Sequence, residues 1–236
     1  MKGIVSFFST YIFLLSALYF LLWGIALFIS FRKEKAIQKK ILIMSALFAL
    51  LTPFIEHLNL SDWWSPTFLW NTFFHAEDLL FGFAITSTTL GVYFWISKSV
   101  RAKIERQAIF SPLYKTTLLI AEILLTFIAF YLAHVPSFYA MTVCAVILSG
   151  CVFARVPAMI VPAVVTGIFI TLIILPGYFI GTYLHPGWIQ EYWRLAGWPG
   201  RLLLTIPIGE YIFYLFSGLF IPAFAEALFA KARRKA

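Results

Sequence analysis

Charge is what this sequence has least of. Only 12% of its 236 residues are charged, and only 10 are Asp or Glu. A soluble domain carries about a quarter of its residues as charge, so a water-facing globular fold is excluded. Cysteine is nearly missing too. Cys144 and Cys151 lie in one apolar run, on one helix face by their spacing. They are expected to be small buried thiols, since a redox or metal role needs further ligands nearby. There is no Gly-rich phosphate loop, no dinucleotide fingerprint and no nucleophile elbow. The last apolar run contains no lysine, which argues against a retinal Schiff base.

What is present is apolar: 62% of the residues are hydrophobic and 19% aromatic. Apolar runs near or beyond 18 residues recur along the chain, each long enough to cross about 30 Å of hydrocarbon. The expected fold is an all-α integral membrane protein of seven transmembrane helices. The predicted spans are residues 7–31, 41–59, 73–97, 116–134, 138–155, 157–183 and 202–230. One membrane domain is expected to use residues 1–236. The first run is too long for a cleavable signal peptide and is followed by a basic cluster.

Lysine and arginine orient the spans. Arg32, Lys33, Lys35, Lys39 and Lys40 fall in the first loop assigned inside. Lys98, Arg101, Lys103, Arg106 and Lys115 fall in the second, Arg155 in the third, and Lys231, Arg233, Arg234 and Lys235 at the C-terminus. Outside there are only Lys2, Arg194 and Arg201. This asymmetry predicts an N-terminus outside and a C-terminus inside, in a multi-pass protein of the cell membrane. The net charge of +8 is thereby a topology signal, and no nucleic-acid partner is expected. The outer loops are Trp-rich: Asp62-Trp63-Trp64-Ser65-Pro66 with Trp70, and His185-Pro186-Gly187-Trp188 with Tyr192, Trp193 and Trp198. Such segments read as an aromatic belt at the headgroup level.

Each Trp-rich loop leads into a similar span. One begins His75-Ala76-Glu77-Asp78-Leu79-Leu80-Phe81, the other Pro207-Ile208-Gly209-Glu210-Tyr211-Ile212-Phe213-Tyr214. Aligning Asp78 with Glu210 brings an apolar pair and a phenylalanine into register. The chain then divides into repeat one (about 7–97), a connector helix (about 116–134) and repeat two (about 138–230). With an odd connector the repeats are parallel, related by an axis along the membrane normal. Asp78 and Glu210 are expected at one depth, facing a shared cleft.

Acids inside spans are rare because a charged carboxylate at bilayer depth costs roughly 2.5–3.5 kcal/mol or more. Glu56, Glu77, Asp78, Glu122, Glu210 and Glu226 all fall in or at the ends of predicted spans, and no basic residue does so in their interior. They are expected to be protonated or bonded to one another. Glu122 and Glu226 read as packing locks, whereas Glu77, Asp78 and Glu210 read as functional because they occupy repeated positions. His75, one turn before Asp78, is placed to relay a proton. His57 and His75 with Glu56, Glu77 and Asp78 would be the donors of a metal site, but no metal and no cofactor are assigned.

These residues resemble the membrane-integral lycopene cyclase family, found as two small subunits or one fused chain. That family carries Pro-x-Glu-Glu followed by Phe-Leu-Phe-Phe once in each half. Here the copies read His75-x-Glu77-Asp78-Leu-Leu-Phe-Gly and Pro207-x-Gly209-Glu210-Tyr-Ile-Phe-Tyr. The similarity extends to Phe31-Arg32-Lys33-Glu34-Lys35 with Lys39-Lys40, then Pro53-Phe54-Ile55. His75 stands where the first copy has proline, and Gly209 where the second has its first acid.

The resemblance implies a redox-neutral cyclisation of a linear carotenoid or related isoprenoid end group. An acid protonates the terminal double bond, the tertiary cation closes a six-membered ring, and a base removes a proton. Glu77, Asp78, Glu210 and His75 are then the candidate catalytic residues. Phe81, Trp188, Trp193, Pro207, Tyr211, Phe213 and Tyr214 are candidates for holding substrate, their aromatic faces steadying the cation. The expected partners are a lipophilic substrate and the lipid bilayer, with a homo-oligomer open. The competing expectations are a proton-coupled carrier and a noncatalytic homologue that keeps the fold.

Overall fold

The computed structural model describes residues 11–69, 75–194 and 196–230. Trp70, Lys2, Lys231, Arg233, Arg234 and Lys235, named above, lie outside the described residues, as does the side chain of Glu122. In chain order the elements are α1 (Ile12–Ser30), α2 (Lys35–Asp62), α3 (Ala76–Ile96), the short α4 (Arg101–Gln107), α5 (Pro112–Phe127) and α6 (Ser137–Phe153). Then follow α7 (Ile160–Leu184), the single-turn α8 (Trp188–Tyr192), strands β1 (Leu202–Leu203) and β2 (Ile206–Pro207), and α9 (Ile208–Phe229).

The chain is a mostly helical membrane protein. Among the described residues five helices are long and apolar enough to cross a bilayer: Ile12–Ser30, Lys35–Asp62, Ala76–Ser99, Pro157–Leu184 and Ile208–Phe229. Even the shortest of these, α1, extends about 28 Å at 1.5 Å per residue. Two of the seven expected spans rest on shorter elements. α6 is apolar but has 17 residues. α5 stops at Phe127 and runs on as a π-helical turn, Ile128–Leu132. The outward faces carry Leu22, Leu50, Leu113, Val161 and Leu172, the side chains expected against lipid.

The expectation of helix from residue 202 is corrected. Residues 202–207 form a hairpin, with Leu202 opposite Pro207 and Leu203 opposite Ile206. Its two turn residues, Leu204 and Thr205, have φ of 51° and 69°, the left-handed pair that a two-residue hairpin turn requires. Helix starts only at Ile208, after Pro207, whose fixed φ and missing N–H suit a helix entrance.

α3 and α9 form the centre. α3 packs against α1, α2 and α7, and α9 against α6, α7 and α3. Small residues permit this closeness, as in other membrane bundles. A side chain at Gly82 would meet the Phe48 carbonyl oxygen at 2.8 Å, and one at Gly218 would collide with the backbone of Gly167. The Thr88 hydroxyl crosses to the Phe20 carbonyl at 2.8 Å.

Buried side chains form two clusters along the bundle. One surrounds Tyr93, Phe94, Phe110 and Phe224. The other surrounds Phe13, Phe20, Trp63, Trp64, Tyr178 and Trp188. The cysteine expectation holds for Cys144, which is buried, and is corrected for Cys151, which is exposed. The two share a helix face, which is covered at Cys144 and open at Cys151, while Leu148, Ser149 and Val152 stay buried elsewhere around α6.

Candidate functional site

The two Trp-rich loops come together. Trp64 and Trp193 pair as an antiparallel bridge. Ser65 N–H donates to the Tyr192 carbonyl at 2.7 Å, and Arg194 N–H to the Trp63 carbonyl at 2.7 Å. Gly187, with φ of 92°, turns the second loop into α8 through a left-handed conformation that glycine adopts freely. The zipped loops cover the ends of α2, α7 and α9.

Beneath them lies Glu210, in the first turn of α9 and only 6% exposed. Its Oε1 accepts the indole N–H of Trp63 at 3.0 Å and of Trp193 at 2.8 Å. Its Oε2 accepts the Tyr178 hydroxyl at 2.5 Å. All three donors are neutral. A second acid, Glu56 near the end of α2, is 5% exposed. Its Oε2 accepts the Trp64 indole N–H at 2.8 Å, and Asn59 gives it a further hydrogen bond. The aromatic-belt expectation is thus corrected for Trp63 and Trp64. They are buried, and their N–H groups face carboxyl groups instead of lipid headgroups.

Glu56 and Glu210 line one cavity together with Phe13, Phe81, Tyr178 and Trp193. Trp188, Phe213 and Tyr214 complete the aromatic wall. Its rings are held by one another: Phe20 stacks on Tyr214 with centroids 5.6 Å apart, and Trp188 meets Trp193 edge-on at 4.9 Å. A second, more apolar lobe adjoins the first and shares Glu56, Asn59, Trp63, Phe81 and Phe213 with it.

The acids of the first motif sit beside this cavity, outside its lining. Asp78 is fully buried, with Oδ2 2.9 Å from His75 Nδ1. His75 stacks on Phe68 with centroids 3.5 Å apart. Burial holds its imidazole below the ordinary histidine pKa, partly opposed by the Glu77 charge. Glu77 Oε1 accepts the Leu69 N–H at 2.6 Å. Glu77 Oε2 and Asp78 Oδ1 are buried with no hydrogen-bond partner among the described residues. Both acids lie in the first turn of α3, as Glu210 does in α9, where the free N–H groups of a helix start favour negative charge.

Of the substrate-holding candidates, Phe81, Trp188, Trp193, Phe213 and Tyr214 line the cavity. Pro207 is buried in β2, and the Tyr211 hydroxyl donates to the Leu203 carbonyl at 2.9 Å. Reasoning from motif register passes over Glu56, Asn59, Trp63, Trp64 and Tyr178. A sequence signal existed for Glu56 alone, as an acid within a span.

The expectation that the intramembrane acids are protonated or bonded to one another is corrected at Glu226. Arg101 reaches back from α4 and pairs with Glu226 Oε1, while Lys40 Nζ lies 3.9 Å from Oε2. Among the described residues no group of three or more His, Cys, Asp or Glu is placed to hold a metal ion. In comparison with known proteins, no family model matches the chain, and no curated protein and no solved structure matches it.

Proposed function

We propose that this chain is a lycopene cyclase-like enzyme of the cell membrane, closing the end group of a linear carotenoid or related isoprenoid by proton-initiated isomerisation. In this reading it has seven spans, N-terminus outside and C-terminus inside, as two parallel three-helix repeats and a connector. Supporting the orientation, Lys40, Arg101, Lys115 and Arg155 gather at the C-terminal end of α9. The Trp-rich loops and the acids of both motifs lie at the other end.

One observation carries the proposal. Two acids face a single aromatic cavity, and every hydrogen-bond donor to them named above is neutral. Such a site suits a reaction that creates and destroys a carbocation. Glu210, with three donors on its two oxygens, acts as an acceptor-only carboxylate. It balances the cation and takes up the proton that leaves. Glu56 delivers the proton to the terminal double bond. The Asp78–His75 pair behind it restores that proton and acts as a positioning and relay group. One proton enters the end group and one leaves, so the product is an isomer of the substrate. The rings of Phe81, Trp193, Phe213 and Tyr214 each stabilise a nearby cation by about 0.5–2 kcal/mol.

The test is pigment extraction from a lycopene-making host that expresses the chain. Ring-bearing carotenoid is the expected result. Unchanged linear pigment, with the protein folded in the membrane, would remove the cyclase reading.

A further inference from the structure

The second lobe has a shape of its own. The space between its atoms, including what opens to the outside, is about 780 Å³. Its walls come from α2, α3, α6 and α9, among them Phe48, Ile55, Met141, Ala145, Phe216 and Phe220. Two of its hydroxyls are already used: Thr52 donates to the Phe48 carbonyl and Ser217 to the Phe213 carbonyl. Polar groups concentrate where it meets the first lobe, at Glu56, Asn59 and Trp63. Such a lobe recognises hydrocarbon along its length and presents an acid at the end that meets the first lobe.

The lobe is also not sealed from the bilayer. Ile55, Met141, Thr142, Ala145 and Phe216 are only part-buried. They line the seam between α2 on one side and α6 with α9 on the other. At the outer end that seam is clipped shut, because Asp62 at the end of α2 accepts both the N–H of Ser137 (2.7 Å) and its hydroxyl (2.5 Å). Further along, α2 and α6 make few close approaches to one another. A seam pinned at its outer end and open beside an apolar lobe has the form of a side entrance.

We propose that a linear isoprenoid chain enters sideways from the bilayer between α2 and α6 and lies in this lobe, its end group reaching Glu56. Ala145, the small residue at the mouth, sets whether the chain fits. This inference rests on the cyclase reading for the identity of the chain, and its test needs no turnover.

The probe is a photoreactive diazirine analogue of a linear C20 isoprenoid, in nanodiscs of phosphatidylcholine, with labelled peptides mapped by mass spectrometry. Labelling is expected on α2, α6 and α9 around Ile55, Met141 and Phe216, competed by unlabelled lycopene. Ala145→Phe fills the mouth and is expected to cut labelling about tenfold, and the milder Ala145→Leu to cut it less. Competition in the unsubstituted protein keeps the test independent of how either variant folds. Labelling spread over the lipid-facing surface, or competed equally by excess saturated phospholipid, would overturn the proposal. Labelling in the lobe without ring formation would uphold the chain site while removing the cyclase reading.

Discussion

Two buried glutamates on one helix separate the ends of this molecule. Glu210 opens α9 and Glu226 lies near its end, and both are nearly inaccessible, at 6% and 2%. Glu226 is met by an arginine and a lysine. Around it, Arg101 also lies over the Phe94 ring at 4.6 Å, and Lys115 Nζ donates to the last carbonyls of α9, at Leu228 and Ala230. A carboxylate with an arginine against it has its charge cancelled and has nothing left to give to a substrate. Glu210 is met by two indoles and a phenol. Those donors orient a carboxyl group without cancelling its charge, and the group lines the aromatic cavity. The lesson is that burial alone does not mark a reactive acid; what surrounds the buried oxygen atoms does.

Swapping charge for shape at each position is the largest way to break that contrast. Glu210→Gln keeps the side-chain size and removes the ionisable oxygen. Ring formation per folded protein is expected to fall about 10²–10⁴-fold, the usual contribution of a general acid or base, with thermal stability in detergent little changed. Glu226→Ala is expected to do the reverse. It removes the carboxylate that Arg101 and Lys40 share and leaves the part-buried Arg101 with the more exposed Glu105 at 3.1 Å, which costs about 1–3 kcal/mol of stability, visible as a lower midpoint of thermal unfolding. Activity per folded molecule should survive. If both variants lose activity alike, the division between the two ends is wrong.

A smaller effect sharpens the role of the indoles. Trp63→Phe keeps the edge-on contacts with Phe138 and Phe213 but removes one N–H from Glu210. The loss of a hydrogen bond to a charged acceptor is worth about 1.5–3 kcal/mol. Trp188→Phe removes an N–H that goes to Thr182, so any change in rate it brings reports the ring trimmed from the cavity wall and no donor to Glu210. Comparing the two rates checks whether the indoles matter as donors or as rings.

The smallest effect concerns pH. Because burial depresses the His75 pKa, the unfolded chain binds its proton more readily than the folded one. His75 therefore favours folding fully above the ordinary value of about 6.5, and that contribution is lost as pH falls from there toward its depressed folded pKa. Thermal midpoints in detergent should drop as the pH falls below the ordinary histidine value of about 6.5, and His75→Asn should reduce the drop. A midpoint drop of unchanged size in His75→Asn would show that other groups carry it.

Much of this was legible in the sequence, for definite reasons. Long apolar runs give α1, α2, α3, α7 and α9 directly, since length and composition alone identify them. The His75–Asp78 contact follows from one turn of helix spacing. Glu56 was visible as an acid in a span, but register could not select it because it has no counterpart in the second motif. The indole bonds were not legible, because a tryptophan near a membrane interface has the same sequence signature whether its N–H meets a headgroup or a buried acid. Arg101 has the sequence signature of a loop charge, and nothing local says that α4 folds back under the bundle. Residues 202–207 misled because an apolar hairpin and the first turns of an apolar helix have the same hydropathy; Pro207 was the one signal of the true boundary.

The claim that acids at the Trp-rich end start the reaction by proton transfer is tested most directly by isotope. Membranes carrying the protein are equilibrated in D₂O, supplied with a linear carotene, and the cyclic product is weighed by mass spectrometry. A solvent-exchanged acid that protonates the terminal double bond, followed by loss of a different proton, predicts one deuterium per ring closed. Cyclic product carrying no deuterium would contradict it.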